Sequence, residues 1–141
     1  MPKKNEVRVV IDTNIWISFL IGKKLSSLAN LLVERKVILA VCDQLLQEIL
    51  IVTSRPKLSK YFPSNKVADL LKLLSTIGES YVLTTTIDVC RDAKDNFLLV
   101  LCDSSKADYL ITGDNDLLIL DNYKKTKIIP PNEFEAILNE L

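Results

Sequence analysis

The sequence predicts an α/β fold of three layers, α/β/α, in which a central parallel sheet of about five strands is covered by helices on both faces. Two observations predict this class. Runs rich in β-branched residues, such as 7–11 (VRVVI) and 37–41 (VILAV), are largely apolar on both faces, as the central strands of parallel sheets are. Between such runs, apolar residues recur at helical spacing, and alternating strands and helices indicate a parallel sheet with crossover connections.

The first half of the chain contains two predicted strands and four predicted helices. Residues 1–6 are a polar tail that we expect to be flexible. Asp43 is a suitable N-cap for the helix after the second strand, and Arg55-Pro56 ends that helix because a residue before proline avoids the helical conformation. The predicted strands are 7–11 and 37–41, and the predicted helices are 15–21, 25–34, 43–53 and 65–77.

The second half contains three further predicted strands. The first of them is followed by a polar loop at 84–94, and the last of them by Pro130-Pro131. Asn132 is then in position to cap a final amphipathic helix. The predicted strands of this half are 81–83, 109–111 and 127–129, and a helix is predicted at 96–105.

Length and composition predict one domain spanning residues 1–141, with 48% hydrophobic and 26% charged residues. No stretch is apolar enough to span a bilayer, so we expect a cytoplasmic protein without a membrane partner. Cys42, Cys90 and Cys102 occur singly and are expected to be reduced and structural. The net charge is zero, with 18 basic and 18 acidic residues, and gives no indication of a nucleic-acid partner.

The sequence contains no histidine. This removes the commonest general base near neutral pH and the commonest zinc ligand, so Ser-His-Asp, Cys-His and zinc-hydrolase chemistry are disfavoured. Any catalysis must rely on carboxylates, hydroxyls, amides and lysines.

Five acids are predicted to lie near one edge of the sheet. Asp12 directly follows the first strand, and Asp114 and Asp116 follow the fourth. Asp95 closes the loop after the third strand, and Glu48 borders the apolar stripe of the helix after the second. Because open parallel sheets bind ligands at the carboxyl ends of their strands, this edge is the expected site.

Each acid also has a structural interpretation. Asp12 and Asp95 are placed to cap helices, and Asp114 and Asp116 beside Gly113 fit an Asx turn. Glu48 fits a solvated helix surface. In combination, however, converging carboxylates repel one another unless a divalent cation neutralises them. Oxygen ligands suit one or two Mg²⁺ or Mn²⁺ ions, which activate water and bind phosphate oxygens, so the pattern predicts phosphodiester hydrolysis.

These residues resemble the PIN-domain nucleases, a family that includes toxins of prokaryotic toxin–antitoxin pairs. The resemblance covers nearly the whole chain. It is carried by four blocks and, less specifically, by SRPKL at 54–58. The blocks are VVIDTNIWIS (9–18), CDQLLQEIL (42–50), RDAKDNFLL (91–99) and ADYLITGDNDLL (107–118).

The resemblance implies a PIN-like sheet of five parallel strands and a metal-dependent endoribonuclease acting on single-stranded RNA. It implies a cognate antitoxin and a homodimer or higher oligomer as partners. By position, it makes Asp12, Glu48, Asp95 and Asp114 the metal-binding acids, with Asp116 as an additional acid of the same site.

Polar and basic neighbours of these acids complete the expected site. By the same resemblance, Asn14 and Thr112 are expected to orient carboxylates or water, as is Asn96. The alternatives are helix capping for Asn14 and a turn hydroxyl for Thr112. The basic residues expected to steer phosphates are Lys23, Lys24, Arg91 and Lys94, although solvated lysines and arginines are also ordinary on protein surfaces.

Three other functions share part of this pattern. A Mg²⁺-dependent receiver domain of a signalling pathway has acids at strand ends, but it would carry an acidic pair after the first strand, where Asp12 is followed by Thr13. A haloacid-dehalogenase-type phosphatase would have Asp where this chain has Asn14. The third alternative is a non-catalytic PIN-like scaffold that binds a partner.

Overall fold

The computed structural model describes residues 6–22, 34, 36–86 and 95–140. Within these ranges the chain forms strands and helices that alternate as predicted. The strands are β1 (Val7–Ile11), β2 (Val37–Val41), β3 (Glu79–Ser80), β4 (Tyr109–Ile111), β5 (Asn122–Tyr123) and β6 (Thr126–Ile129). The helices are α1 (Thr13–Gly22), α2 (Asp43–Thr53), α3 (Ser64–Ile77), α4 (Asn96–Ser105), α5 (Asn115–Leu118) and α6 (Pro131–Leu138), with a short 3-10 helix at Ser59–Tyr61.

In the described part of the chain the strands form one six-stranded sheet in the order β3-β2-β1-β4-β6-β5. β1 is parallel to β2 on one side and to β4 on the other, where Val9 pairs with Leu39 and Tyr109. β4 is parallel to β6, and β5 is antiparallel to β6 at the edge. The sheet is therefore mostly parallel and flanked by helices, which confirms the predicted three-layer α/β/α class.

The side of the sheet to which the chain adds its next strand changes between β1 and β4. After β1 it adds β2 and β3 on one side, and then β4 and β6 on the other. Such a switch leaves a crevice at the carboxyl ends of the two central strands, because the connections leave in opposite directions. The residues that follow Ile11 and Ile111 stand at this crevice.

The central strands and α4 form the apolar core. Val9, Val10 and Leu110 are fully buried, as expected for strands covered on both faces. In α4, Leu98, Leu99 and the three residues that follow them are likewise buried, and this helix contacts β1 and β2. Trp16 is 3% exposed and belongs to the same core, as predicted. Cys42 and Cys102 are buried free thiols, as predicted, and Cys90 lies outside the described residues.

The third strand was predicted at the wrong position. It occupies Glu79–Ser80, whereas Val82 of the predicted strand 81–83 is 86% exposed. The Tyr81 N–H still donates to Val41 O at 2.9 Å, so the ladder extends one residue further. Only Gly78 separates α3 from β3, so the strand begins two residues before its predicted start at residue 81. Side-chain periodicity does not indicate so short a connection.

Near the carboxyl end, the sequence did not predict the hairpin of β5 and β6 or the short helix α5. Asn122 pairs with Lys127 and Tyr123 with Thr126, so that Lys124 and Lys125 form the turn. Lys124 has φ 53°, a conformation that usually selects Gly or Asn, and its ammonium lies 2.9 Å from Asp103 Oδ2. A turn without Gly or Asn at that position gave no sequence signal.

Two predicted helix caps were also wrong. Cys42 occupies the N-cap of α2, and Asp43 is the first helical residue, where its charge is favourable to the helix dipole. Pro130 occupies the N-cap of α6 and Pro131 the first helical position, for which its fixed φ is well suited, so Asn132 lies inside the helix.

Several predicted features lie outside the described residues: most of the helix at 25–34, the loop from residue 87 to 94, and the tail 1–5. Among the helices that are described, none is both long and apolar enough to cross a bilayer.

The α3–β3 junction predicts the effect of a glycine substitution. A Cβ at Gly78 would lie 2.5 Å from Leu74 O and 2.9 Å from Val41 Cγ2, and the first of these is backbone that cannot rotate away. We expect Gly78→Ala to destabilise the protein by about 1–3 kcal/mol in urea unfolding. Gly113→Ala is the control, because a Cβ there meets nothing within 4 Å, and its effect should stay within about 0.5 kcal/mol. Equal effects of the two variants would contradict this account of the junction.

Candidate active site

Asp12 lies at the carboxyl end of β1, on the switch between β1 and β4. Its N–H donates to Ile111 O at 2.9 Å, and its own carbonyl accepts from the N–H groups of Ile15 and Trp16 at the start of α1. Its carboxylate accepts from the N–H of Asn14 and, at 2.7 Å, from the hydroxyl of Thr112. The capping interpretation of Asp12 is therefore correct, and the same carboxylate also bonds across to the neighbouring strand.

The environment of Asp12 opposes its negative charge. The residue is 4% exposed, and burial is the main cause that raises the pKa of its carboxyl group. The hydrogen bonds from Thr112 and Asn14 lower this pKa, while the charges of Glu48 and Asp114 raise it, and the net direction is upward. Glu48 and Asp114 are thus close enough to repel Asp12, as expected for acids gathered at one edge.

Thr112 joins two of the acids. It is fully buried directly after β4, and its Oγ1 donates to Asp12 Oδ2 at 2.7 Å. The same oxygen accepts from the Asp114 N–H at 3.0 Å. One hydroxyl therefore orients the Asp12 carboxylate and fixes the backbone that carries Asp114.

Asp114 has the turn geometry that was considered as its structural alternative. It is the N-cap of α5, and its Oδ1 accepts from the Asp116 N–H at 2.9 Å. Both acids are half-buried, and Asp116 lies in the first turn of α5. A carboxylate that accepts one N–H retains lone pairs for a cation, so the turn does not prevent Asp114 from acting as a ligand.

Glu48 is held by a residue that the sequence did not single out. It lies half-buried on α2, and its Oε2 accepts from Thr13 Oγ1 at 2.7 Å. Thr13 is the first residue of α1 and is 3% exposed. The available signal was a hydroxyl residue directly after Asp12 in an apolar segment, but nothing in the sequence indicated which side chain it would meet.

Asp95 and Asn96 mark the start of α4. Asp95 is half-buried at the N-cap position, where its side chain makes no capping hydrogen bond, and Asn96 is 7% exposed. Asp95 therefore occupies the N-cap position that the capping interpretation gave it, but its side chain makes no capping hydrogen bond. The membership of both residues in the site stays a prediction.

The remaining predicted residues divide into three groups. Asn14 is exposed on α1 beside Asp12, where its side chain faces solvent. Two other acids, Asp103 and Asp108, have structural partners: Asp103 pairs with Lys124, and Asp108 Oδ2 accepts from the Arg8 N–H at 2.9 Å. The predicted phosphate-steering residues lie outside the described part of the chain; they are Lys23, Lys24, Arg91 and Lys94.

The donor chemistry fits a hard divalent cation. The predicted acids offer oxygen ligands, and the buried Asp12 carries a charge that its acidic neighbours destabilise, which a cation would reverse. In the geometry of the described residues, no three acids or thiols are grouped closely enough to bind one ion together.

Asp12 and Asp114 follow neighbouring strands at the carboxyl edge of the sheet. A cavity of about 440 Å³ opens elsewhere, between α2 and α3, and none of its described lining residues is acidic. Its walls are mostly apolar and hydroxyl side chains, including Leu50, Phe62, Val67 and Leu71. Its described lining offers no carboxylate to a cation, so the carboxylate edge is the candidate active site.

The raised pKa of Asp12 predicts how stability depends on pH. Because the folded state favours the protonated form, ionised Asp12 lowers stability at neutral pH, and this penalty disappears as the pH falls from the folded pKa to the unfolded value near 3.9. In metal-free buffer we expect Asp12→Asn to be at least as stable as the wild type at pH 7 in urea unfolding. The difference should shrink toward pH 4.

Asp69→Asn is the matched control, since Asp69 is exposed on α3. Its effect should stay within about 0.5 kcal/mol at both pH values. A marked loss of stability in Asp12→Asn at pH 7 would mean that the hydrogen bonds from Thr112 and Asn14 outweigh the penalty of burying the charge.

Comparisons with known proteins agree with this architecture. A family model described as the PIN domain matches residues 8–116, a range that contains all five predicted acids. The chain is 33% identical over 143 aligned residues to the uncharacterized protein MJ1680 of Methanocaldococcus jannaschii, covering 94% of this chain and 92% of that protein. The crystal structure of PAE2754 from Pyrobaculum aerophilum is similar in fold, with a TM-score of 0.65 and 16% identity over 98% of this chain and 94% of that one. By its sequence match, and in keeping with its fold, this chain belongs to the PIN-domain family.

Proposed function

We propose that this protein is a Mg²⁺- or Mn²⁺-dependent endoribonuclease that hydrolyses phosphodiester bonds in single-stranded RNA. The family and fold are of a nuclease type, which supports a hydrolase. The observation that carries the proposal is the burial of Asp12 beside two like charges, those of Glu48 and Asp114. A protein keeps such an arrangement at a cost in stability, and a cation-dependent activity explains why it would be retained.

In this proposal the chain's own residues bind and orient. Asp12, Glu48 and Asp114 hold one or two divalent ions, with Asp95 and Asp116 as further ligands or water-binding groups. Thr112 keeps Asp12 oriented by its 2.7 Å hydrogen bond, so that less rearrangement is needed on binding. A bound Mg²⁺ or Mn²⁺ supplies water of lowered pKa and charge neutralisation at phosphate, which removes the need for the histidine that the sequence lacks.

Polar and basic residues are proposed to support this site. Asn14, exposed next to Asp12, and Asn96, buried at the start of α4, are proposed to orient carboxylates or water. Lys23, Lys24, Arg91 and Lys94 are proposed to attract the phosphates. A role as the toxin of a toxin–antitoxin pair, with a cognate antitoxin, a cytoplasmic location and a dimeric or higher assembly, forms part of the same proposal and rests on the family resemblance.

The order of the strands argues against the receiver-domain alternative. Counted along the chain, the parallel strands lie in the order 3-2-1-4-5, with β6 as the fifth. Receiver domains have the order 2-1-3-4-5, in which the switch falls between the first and third strands. The candidate acids here stand instead at the switch between β1 and β4.

A cleavage assay tests the proposal. With labelled single-stranded RNA, we expect cleavage in Mg²⁺ or Mn²⁺ and none in EDTA, with a loss of more than about 100-fold in Asp12→Asn and in Asp114→Asn, because each variant removes an anionic ligand. Asp69→Asn should retain full activity.

Other outcomes point to other functions. Metal-dependent RNA binding without cleavage by the wild type would support the non-catalytic scaffold. Equal cleavage of single-stranded DNA would contradict the restriction to RNA. Cleavage that persists in EDTA would contradict the metal requirement.

A further inference from the structure

Thr13 makes a hydrogen bond that the proposed site needs and that no acid can provide. Its hydroxyl donates to Glu48 Oε2 at 2.7 Å, and the side chain is almost completely buried. Thr13 also follows Asp12 directly, so one backbone segment carries an acid of the site and the donor that holds a second acid. The bond joins the start of α1 to α2, two helices that pack against each other.

Electrostatics alone would move Glu48 away from the site. Its charge is among the causes that raise the pKa of Asp12, so the two carboxylates are close enough to repel one another. A glutamate on a helix has several rotamers, and repulsion favours those that point toward solvent. A short hydrogen bond from a buried neutral donor opposes that movement without neutralising the charge that a cation requires.

Thr13 and Thr112 perform the same task for different acids. Thr112 donates to Asp12 Oδ2 at 2.7 Å, and Thr13 donates to Glu48 Oε2 at the same distance. Each hydroxyl occupies one carboxylate oxygen. A carboxylate with one such donor retains lone pairs that can bind a cation.

We propose that Thr13 is a positioning residue that holds Glu48 in place for divalent-cation binding. This inference rests on the proposed function, in which Glu48 is a metal ligand. The alternative is a structural role, in which the hydroxyl only satisfies its own hydrogen bond in a buried position and contributes nothing to cation affinity.

Manganese binding to the RNA-free protein, measured by the electron paramagnetic resonance of free Mn²⁺, separates the two roles. Thr13→Val removes the hydroxyl at nearly constant volume, and we expect Mn²⁺ affinity to fall about 10–100-fold, the usual loss for a group that orients a ligand. Thr13→Ser restores the donor and should recover most of the affinity. If valine prevents folding, Thr13→Ala makes the same comparison.

A matched control distinguishes positioning from general destabilisation. Thr53 is buried to the same extent, on the helix that carries Glu48, and its hydroxyl donates to Ile49 O at 2.7 Å. Thr53→Val should lose stability in urea unfolding while keeping wild-type Mn²⁺ affinity. Unchanged Mn²⁺ affinity in Thr13→Val, or an equal loss in Thr53→Val, would overturn the assignment.

A double-variant cycle tests whether Thr13 acts through Glu48. Glu48→Gln alone should weaken Mn²⁺ binding, and adding Thr13→Val should cause no further loss, because the group it positions is already gone. If Thr13→Val weakens Mn²⁺ binding by the same factor in the Glu48→Gln variant as in the wild type, the inference is overturned. If Asp12→Asn abolishes Mn²⁺ binding and cleavage while Thr13→Val matches the wild type, only the role of Thr13 is wrong. If the wild-type protein binds no Mn²⁺, the proposed function fails and this inference fails with it.

Discussion

The carboxylate of Asp12 is buried where two parallel strands end, and its described hydrogen-bond donors are neutral: a backbone N–H and the hydroxyl of Thr112. Neither donor removes the charge, and Glu48 and Asp114 add to the repulsion. The hydrogen bonds around Asp12 lower the cost of burying this charge. Buried hydroxyls donate to Asp12 and Glu48, and a helix-capping turn holds Asp114. Without such donors the buried charge of Asp12 would be more costly.

The position of the site follows from topology. β1 and β4 are adjacent and parallel although about a hundred residues separate them in sequence, and the residues after each strand meet across their boundary. The bonds from Thr112 to Asp12 and from the Asp114 N–H to Thr112 cross or border this boundary. Since the connections leave in opposite directions there, the carboxyl ends of β1 and β4 border a crevice, which is where open parallel sheets bind ligands.

The same arrangement explains how a protein without histidine can be expected to hydrolyse phosphodiesters. In the proposed function, side chains that share one edge concentrate negative charge, and the chemistry depends on a cation that such an edge attracts. Among the described residues, no three acids or thiols form a group that could hold an ion by themselves. The neutral threonines contribute orientation without competing for the positive charge.

Local sequence pattern was sufficient to predict much of the structure of this protein. Five consecutive apolar or β-branched residues predicted β2 at its observed bounds, helical spacing predicted α4 at Asn96–Ser105, and acids directly after strands marked the edge where Asp12 and Asp114 lie. These features depend on residues that are neighbours along the chain. Contacts between distant residues decided the features that the sequence did not predict. β3 begins earlier than predicted because α3 and β3 meet at Gly78. A hairpin with Lys124 at positive φ adds a sixth strand among the described residues. In the sequence, Thr13 is only a polar residue in an apolar segment. Its hydrogen bond to Glu48 exists because α1 and α2 pack together. Packing between separate helices is a property of the folded chain alone.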